Sequence, residues 1–150
     1  MIRSTCSRSR QEEIREREHV ERIIEFLEVE RFRKELIANL PFGIQKLVAI
    51  GRALAVAPAL LLLDEPSTGM NREEKENLAR FMLRIKHELG ITMLWIEHDM
   101  ELVTDLADTV TVLDFGEKIA EGPPDIILRD PRVAEAYLGR AYIAEKGSTP

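Results

Sequence analysis

A run of four leucines followed by two acids most constrains what this chain can fold into. Residues 60–63 are all leucine and precede Asp64-Glu65-Pro66. An unbroken apolar run of this length is typical of a strand buried on both faces of a parallel sheet. A second apolar run, residues 91–96, ends in Glu97-His98-Asp99 about 33 residues later. Because ligands collect at the carboxyl ends of such strands, Asp64, Glu65 and His98 are predicted to face one crevice.

The rest of the chain alternates between helical and extended patterns. Apolar residues at helical spacing predict six helices: residues 11–36, 44–57, 72–89, 99–107, 124–129 and 131–138. Gly90 is predicted to terminate the third of them. Two strands at residues 109–113 and 118–120 are predicted to form a hairpin. Residues 39–43 are predicted to form a loop, and residues 145–150 a frayed tail. This alternation predicts an α/β fold with a mainly parallel sheet flanked by helices.

Composition excludes several classes of protein. The net charge of −6 over 150 residues, with both signs interleaved, argues against a nucleic-acid-binding face. The single cysteine, Cys6, cannot form an internal disulfide, which fits a reducing cytoplasm. The longest apolar run, residues 53–63, is too short to span a bilayer and is interrupted by Pro58. Any role at a membrane is therefore expected to come through a partner.

The acids after the first strand suggest phosphate chemistry. A carboxylate such as Asp64 can hold Mg²⁺, which prefers oxygen ligands and keeps several waters. A neighbouring carboxylate such as Glu65 can orient or deprotonate a water that attacks phosphorus. Taken alone, the two acids could equally cap the next turn, and a lone histidine is more often structural than catalytic. Their joint position at two strand ends favours the chemical interpretation.

A glycine-containing loop leads directly into the second predicted helix. Its residues are Leu40-Pro41-Phe42-Gly43-Ile44-Gln45. Glycine at a helix start leaves backbone N–H groups free to meet an anion. The loop is therefore a candidate phosphate contact.

These motifs, in this order, resemble the ATP-binding subunits of ABC transporters. The resemblance covers roughly residues 12–140, and its most specific parts are LLLLDEPSTGMN and ITMLWIEHDM. The segment LPFGIQKLVAIGRALA and the ending GEKIAEGPPDIILRDPRVAEAYLG are similar to the branched-chain amino-acid importer subgroup. The resemblance implies a partial P-loop NTPase core with part of the helical subdomain. It also implies one incomplete domain over residues 1–150, with a helical and signature region at 12–57 and the Walker B part at 58–140.

The resemblance implies a role for each matching residue. Asp64 matches the Walker B aspartate that holds Mg²⁺ mostly through water, and Glu65 matches the base that polarises the attacking water. His98 matches the switch histidine that contacts the γ-phosphate. The signature loop of the family binds the γ-phosphate held by the opposite subunit of a head-to-tail dimer, and Asn71 stands at the usual position of the D-loop aspartate. The implied nucleotide-binding residues are Leu40, Pro41, Phe42, Gly43, Ile44, Gln45 and Asn71.

Two departures from the family pattern affect the expected activity. Pro41 stands where the family has a serine and Ile44 where it has a polar residue, so the loop offers phosphate fewer donors. No glycine of the chain is followed by lysine, so the phosphate-cradling P-loop is missing. ATP and Mg²⁺ are therefore expected only in a complete or complemented site, and whether the chain alone is an enzyme is left open. The missing strands are expected to leave a sheet edge exposed, which favours marginal stability or oligomerisation.

Three functions remain open from the sequence. The first is an energy-coupling ATPase component, in which the chain is a fragment or split product of a complete importer subunit. Such a subunit would work with permease subunits and a second ATP-binding subunit on the cytoplasmic face of the membrane. The second is a non-catalytic interaction module or a truncated relic. The third, an ABC ATPase outside transport, is disfavoured by the importer-like ending.

Overall fold

The computed structural model describes residues 3–138, with side chains from residue 10 to residue 137. The described residues form two compact units, which divide between Glu97 and His98. The first unit contains three helices and two strands: α1 (Arg3–Phe26), α2 (Phe42–Leu54), β1 (Leu60–Asp64), α3 (Arg72–Glu88) and β2 (Thr92–Ile96). Short 3-10 helices at Glu30–Phe32 and Ile37–Asn39 join α1 to α2. The second unit contains α4 (Met100–Leu106), β3 (Val110–Asp114), β4 (Glu117–Gly122), α5 (Pro124–Ile127) and α6 (Pro131–Leu138).

Strands β1 and β2 pair in parallel, as the two apolar runs predict. The register places Leu62 opposite Leu94 and Asp64 opposite Ile96. A parallel pair needs a crossover connection, and α3 supplies it. The carboxyl ends of both strands therefore lie at one edge of the sheet, and the predicted α/β class is confirmed. The predicted tail at residues 145–150 lies outside the described residues.

Helix α3 has well-defined signals at both ends. Asn71 Oδ1 accepts a hydrogen bond from the Glu74 N–H (3.0 Å), and the Glu74 carboxylate accepts one from the Asn71 N–H (3.0 Å). This reciprocal capping box satisfies two backbone donors that helix formation would otherwise leave unpaired. Gly90, just past the end of the helix, has a positive φ of 64°. The predicted termination at Gly90 is therefore confirmed.

The prediction that β1 and β2 are buried on both faces is wrong. Leu61 is only 4% exposed, but Leu62 beside it is 65% exposed. On β2 the side chain of Leu94, opposite Leu62, is 63% exposed. Because successive residues of a strand point to opposite faces, one face of the pair contributes to the core and the other is open. A strand of leucines is buried on both faces only if other elements pack against both, and the leucine run alone does not show whether they do.

The predicted helix over residues 11–36 is confirmed as far as Phe26, but its predicted end at residue 36 is wrong, because α1 ends at Phe26. The N–H of Val29 donates to the carbonyl of Ile24 and that of Glu28 donates to the carbonyl of Glu25. These two bonds form a Schellman motif, with Glu28 left-handed at φ 57°. Glycine normally occupies such a position. Because Glu28 occupies it here, the sequence contains no glycine that would predict the end of α1.

Two arginines of α3 hold this helix end in place. Arg80 donates to both carboxylate oxygens of Glu28, at 2.7 and 2.8 Å. Arg84 donates to the Phe26 carbonyl at 2.8 Å, and its guanidinium lies 4.3 Å from the centre of the Phe26 ring. Cations are favourable at a helix C-terminus, where the last carbonyls carry partial negative charge. These contacts offset the cost of placing a non-glycine residue in the left-handed region.

The second unit is built on the predicted hairpin. β3 and β4 pair antiparallel through Phe115 and Gly116, whose φ angles of 46° and 84° suit a tight two-residue turn. A small apolar core forms where the hairpin meets the last two helices: Ala120, Ile127 and Val133, with Val110, Val112 and Ile119 packed against them. Within the described part of the chain, no helix has the length and apolar character needed to cross a membrane.

The open face of β1 and β2 predicts unequal costs for two adjacent leucine truncations. Leu61→Ala removes a buried side chain and is expected to lower the free energy of unfolding by about 2–5 kcal/mol. Leu62→Ala removes an exposed one and is expected to cost less than about 1 kcal/mol. Urea denaturation of both variants measures the difference. Equal losses would contradict the described burial.

The Arg80–Glu28 pair predicts a pH-dependent contribution to stability. Hydrogen bonds from Arg80 hold the pKa of the Glu28 carboxyl below its ordinary value of 4.5. A lowered pKa stabilises the fold above that value, and the contribution is lost as pH falls through the folded-state pKa. Glu28→Gln is expected to cost less than about 1 kcal/mol near neutral pH, because the pair is exposed to solvent. Denaturation at neutral and acid pH should show the difference from wild type vanishing in acid, and a constant difference would refute the pairing.

Candidate functional site at the carboxyl ends of the parallel strands

The candidate site begins where β1 ends. Asp64 is the last residue of β1, and Glu65 follows it with an exposed side chain. The Glu65 N–H donates to the carbonyl of Ile96 at 3.0 Å, which extends the ladder one residue beyond the strand. The backbone of Glu65 is thus fixed against the end of β2. Two adjacent acids are presented at the edge of the sheet, as the sequence predicts.

Glu65 adopts an unusual backbone conformation. Its φ is 42°, in the left-handed region that non-glycine residues rarely occupy. The Thr68 hydroxyl donates to Glu65 Oε2 at 2.9 Å, and the Thr68 N–H donates to the Glu65 carbonyl at 3.2 Å. Strained residues of this kind persist only where their surroundings hold them, and they cluster at functional sites. The tight turn orients the Glu65 carboxylate relative to Asp64.

Glu97 anchors the loop that follows Glu65. The Ser67 N–H donates to Glu97 Oε1 at 2.8 Å, and Ser67 is only 1% exposed. The Met70 N–H in turn donates to the Ser67 carbonyl at 3.1 Å. A buried N–H needs an acceptor, and here it is a carboxylate from the end of β2. Residues 65–71, called here the post-strand loop, are therefore tied to both strand ends.

Residues 40–44, called here the signature-like segment, lead into α2 and form its first residues. The helix begins at Phe42, so the predicted start at residue 44 is wrong, and the predicted loop over residues 39–43 is confirmed only at Leu40 and Pro41. Pro41 precedes the helix, and its fixed φ of −52° suits that position. The Pro41 carbonyl accepts from the Gln45 N–H (3.0 Å), and the Gln45 side-chain amide donates to the Leu40 carbonyl (2.8 Å). Ile44 is half-buried.

The expectation that the Gly43 N–H is free to meet an anion is contradicted. That N–H donates to Glu74 Oε1 at 3.0 Å. Gly43 is buried, and a Cβ at this position would lie 2.8 Å from the same oxygen. A side chain at this position would push the Glu74 carboxylate away, so the contact favours glycine here.

Asn71 and His98 have local roles in the fold. The Asn71 side chain caps α3, as described above, and its predicted nucleotide contact stays a prediction. His98 has an exposed side chain and is the first residue of the second unit, so it is described with that unit. Its carbonyl accepts a hydrogen bond from the Tyr137 hydroxyl at 3.2 Å. The predicted proximity of the His98 side chain to Glu65 stays a prediction.

The donor set at the strand ends fits Mg²⁺ only in part. Over the described residues, no group of three or more histidine, cysteine or acidic side chains is arranged to hold a metal ion. Mg²⁺ commonly binds through one or two carboxylates, with waters and substrate phosphates completing its shell. Asp64, exposed at the end of β1, suits that mode and does not form a closed metal site.

Sequence reasoning missed the structural roles of two carboxylates that organise this site, Glu97 and Glu74. Each accepts from a backbone N–H about 30 positions away, so no local pattern shows the contact. The Asn-x-x-Glu spacing of Asn71 and Glu74 is a capping-box signal that could have located one part of the arrangement.

The Glu97–Ser67 contact predicts how two substitutions differ. Glu97→Ala removes the acceptor from a buried N–H and is expected to lower the free energy of unfolding by about 1–3 kcal/mol. Glu97→Gln keeps a side-chain oxygen, so its cost is expected to be smaller. Urea denaturation compares the two, and equal destabilisation would show that the acceptor is not what holds the loop.

Comparisons with known families agree with this arrangement. The family model described as "ABC transporter" matches residues 3–68, and that described as "Branched-chain amino acid ATP-binding cassette transporter" matches residues 117–143. The two matches fall in different halves of the chain, and the first includes Asp64 and Glu65.

Individual relatives give the same result. The chain is 36% identical over 129 residues to the high-affinity branched-chain amino acid transport ATP-binding protein BraF of Pseudomonas aeruginosa, covering 84% of this chain and 51% of BraF. It is 38% identical over 104 residues to the corresponding protein LivG of Escherichia coli K12, covering 69% of this chain and 41% of LivG.

A solved structure has the same fold. The ADP conformation of MJ1267, an ATP-binding cassette of an ABC transporter, matches with a TM-score of 0.75 and 35% identity over 82% of this chain and 50% of that one. The chain spans about half the length of the relatives it matches. It belongs to the ABC transporter ATP-binding family and corresponds to part of the ATP-binding domain.

Proposed function

We propose that this chain supplies the Walker B and signature parts of an ATP-binding subunit that drives an ABC importer. The observation that carries the proposal is the fixed pair of acids at the end of β1. Glu65 is held by the Ile96 carbonyl and by the Thr68 hydroxyl, beside an exposed Asp64. Such a preorganised pair suits phosphoryl transfer, in which catalysis depends on positioning and on charge stabilisation.

Each acid has a distinct part in the proposal. Asp64 would help to hold Mg²⁺, which supplies charge neutralisation at the phosphates. Glu65 would accept a hydrogen bond from the attacking water and so orient it toward phosphorus. His98 would contact the γ-phosphate, and the signature-like segment, with Gln45 and Asn71, would lie against nucleotide held by a second subunit. The turn at Glu65 keeps its carboxylate in one orientation, which lowers the cost of aligning the water.

The partners and the substrate are further parts of the proposal. Relatives named as branched-chain amino acid transport proteins favour importer permeases and a second ATP-binding subunit as partners, with branched-chain amino acids as the cargo. Such an assembly would place the chain at the cytoplasmic face of the membrane, attached through the permease. Cargo choice would lie with other components of the importer, because this site handles only nucleotide.

A non-catalytic interaction module is the second candidate function. The 150 residues contain no Gly-Lys pair of a P-loop, and the backbone N–H groups and lysine of that loop normally cradle the phosphates. In this role the chain would dock on a partner without hydrolysing ATP.

A complementation assay distinguishes the two functions. ATP hydrolysis with Mg²⁺ is measured for the chain alone and for the chain mixed with the P-loop-bearing half of BraF. We expect negligible activity alone and clear activity in the mixture. Glu65→Gln is expected to lower the activity of the mixture by about 10²–10⁴-fold, because the group that orients the water is lost.

The matched control is Glu73→Gln, which makes the same charge change at an exposed residue in the first turn of α3. It should leave activity unchanged. A folded chain that shows no hydrolysis in the mixture would overturn the catalytic proposal and favour the interaction module. Hydrolysis by the chain alone that Glu65→Gln abolishes would overturn the need for a supplied P-loop.

A further inference from the structure

One side chain, Glu74, bonds to both loops of the candidate site. Its Oε1 accepts from the Gly43 N–H in the signature-like segment, and its Oε2 accepts from the Asn71 N–H in the post-strand loop, each at 3.0 Å. The two carboxylate oxygens therefore serve different loops. The Glu74 backbone N–H also donates to Asn71 Oδ1, which fixes the residue in the first turn of α3.

A second contact joins the same two loops. A Cβ on Gly69, in the post-strand loop, would lie 3.0 Å from Cε1 of Phe42, in the signature-like segment. Gly69 has a φ of 81°, so its backbone and the space beside it both favour glycine. The loops thus approach each other at Phe42 and Gly69 as well as through Glu74. Their separation is set by direct contact and by a shared carboxylate.

We propose that Glu74 is a positioning residue that holds the signature-like segment at a fixed distance from the loop carrying Thr68 and Asn71. The inference rests on the proposed function, because both loops are assigned to nucleotide contact there. Thr68 in turn bonds to Glu65. Through Glu74, a displacement of the signature-like segment would also shift the post-strand loop, which orients Glu65.

A carboxylate is required because the two bonds use two separate oxygens. Glutamine has one side-chain oxygen and an NH₂ group that cannot accept, so it cannot place an acceptor at both of the positions that the glutamate oxygens occupy. The Asn71 N–H lies within the same helix turn, and glutamine suits a capping box as well as glutamate does. Glu74→Gln is therefore expected to keep the cap of α3 and to release Gly43.

The first experiment measures amide hydrogen exchange by NMR in the 150-residue chain. For Glu74→Gln, exchange at Gly43 is expected to become about tenfold faster, the effect of losing one hydrogen bond to a charged group, while Asn71 stays protected. Glu73→Gln is the control with the same change of charge, and it should leave both amides as in wild type. Unchanged protection of both amides in Glu74→Gln would overturn the proposal.

The second experiment measures ATP hydrolysis in the mixture with the P-loop-bearing half of BraF. Glu74→Gln is expected to raise the KM for ATP about tenfold with a smaller change in kcat. A purely structural role would reduce the folded fraction, and hence kcat, without moving KM, so an unchanged KM would overturn the positioning role. A wild-type mixture without activity counts against the proposed function, whereas exchange at Gly43 still decides whether Glu74 holds the two loops.

Discussion

The parallel pairing of β1 with β2 is the constraint on which the candidate site depends. It aligns Asp64 with Ile96, so the first residues after each strand meet at one edge of the sheet. The Glu65 N–H can then bond to the Ile96 carbonyl, and the Glu97 carboxylate can reach the Ser67 N–H. A shift of one residue would reverse the faces of one strand and separate these groups. The geometry of the acids therefore follows from strand register.

The sequence predicts the elements that have local signals. The end of α3 at Gly90 and the tight turn of the β3–β4 hairpin both involve glycine at positive φ. The end of α1 could not be predicted in this way, because Glu28 occupies the left-handed position and contacts from α3 stabilise it. The exposure of Leu62 was likewise unpredictable, since a leucine does not reveal whether another element covers it.

The candidate site divides in a similar manner. Asp64 and Glu65 could be located from the sequence because an apolar strand points to the residues that follow it. The hydrogen bonds that Glu97 and Glu74 accept could not be predicted, although Glu97 also follows an apolar strand, because the donors lie on other elements about 30 positions away. The proposed chemical residues are thus easier to predict from the sequence than the residues that hold them in place. Long-range bonds from backbone N–H groups leave no periodic pattern.

Glutamate side chains accept hydrogen bonds from backbone N–H groups in the post-strand loop and in the signature-like segment, and these bonds fix the conformation of both. Ser67 and Gly43 are buried, and each donates to a glutamate from another part of the first unit. A buried N–H without an acceptor costs about 1–3 kcal/mol, so each contact favours one loop conformation over its alternatives. Pro41 has no side-chain oxygen to accept a hydrogen bond, so the residue that precedes α2 cannot cap its start. The acceptor comes from α3 instead, and the conformation of the signature-like segment therefore depends on tertiary packing.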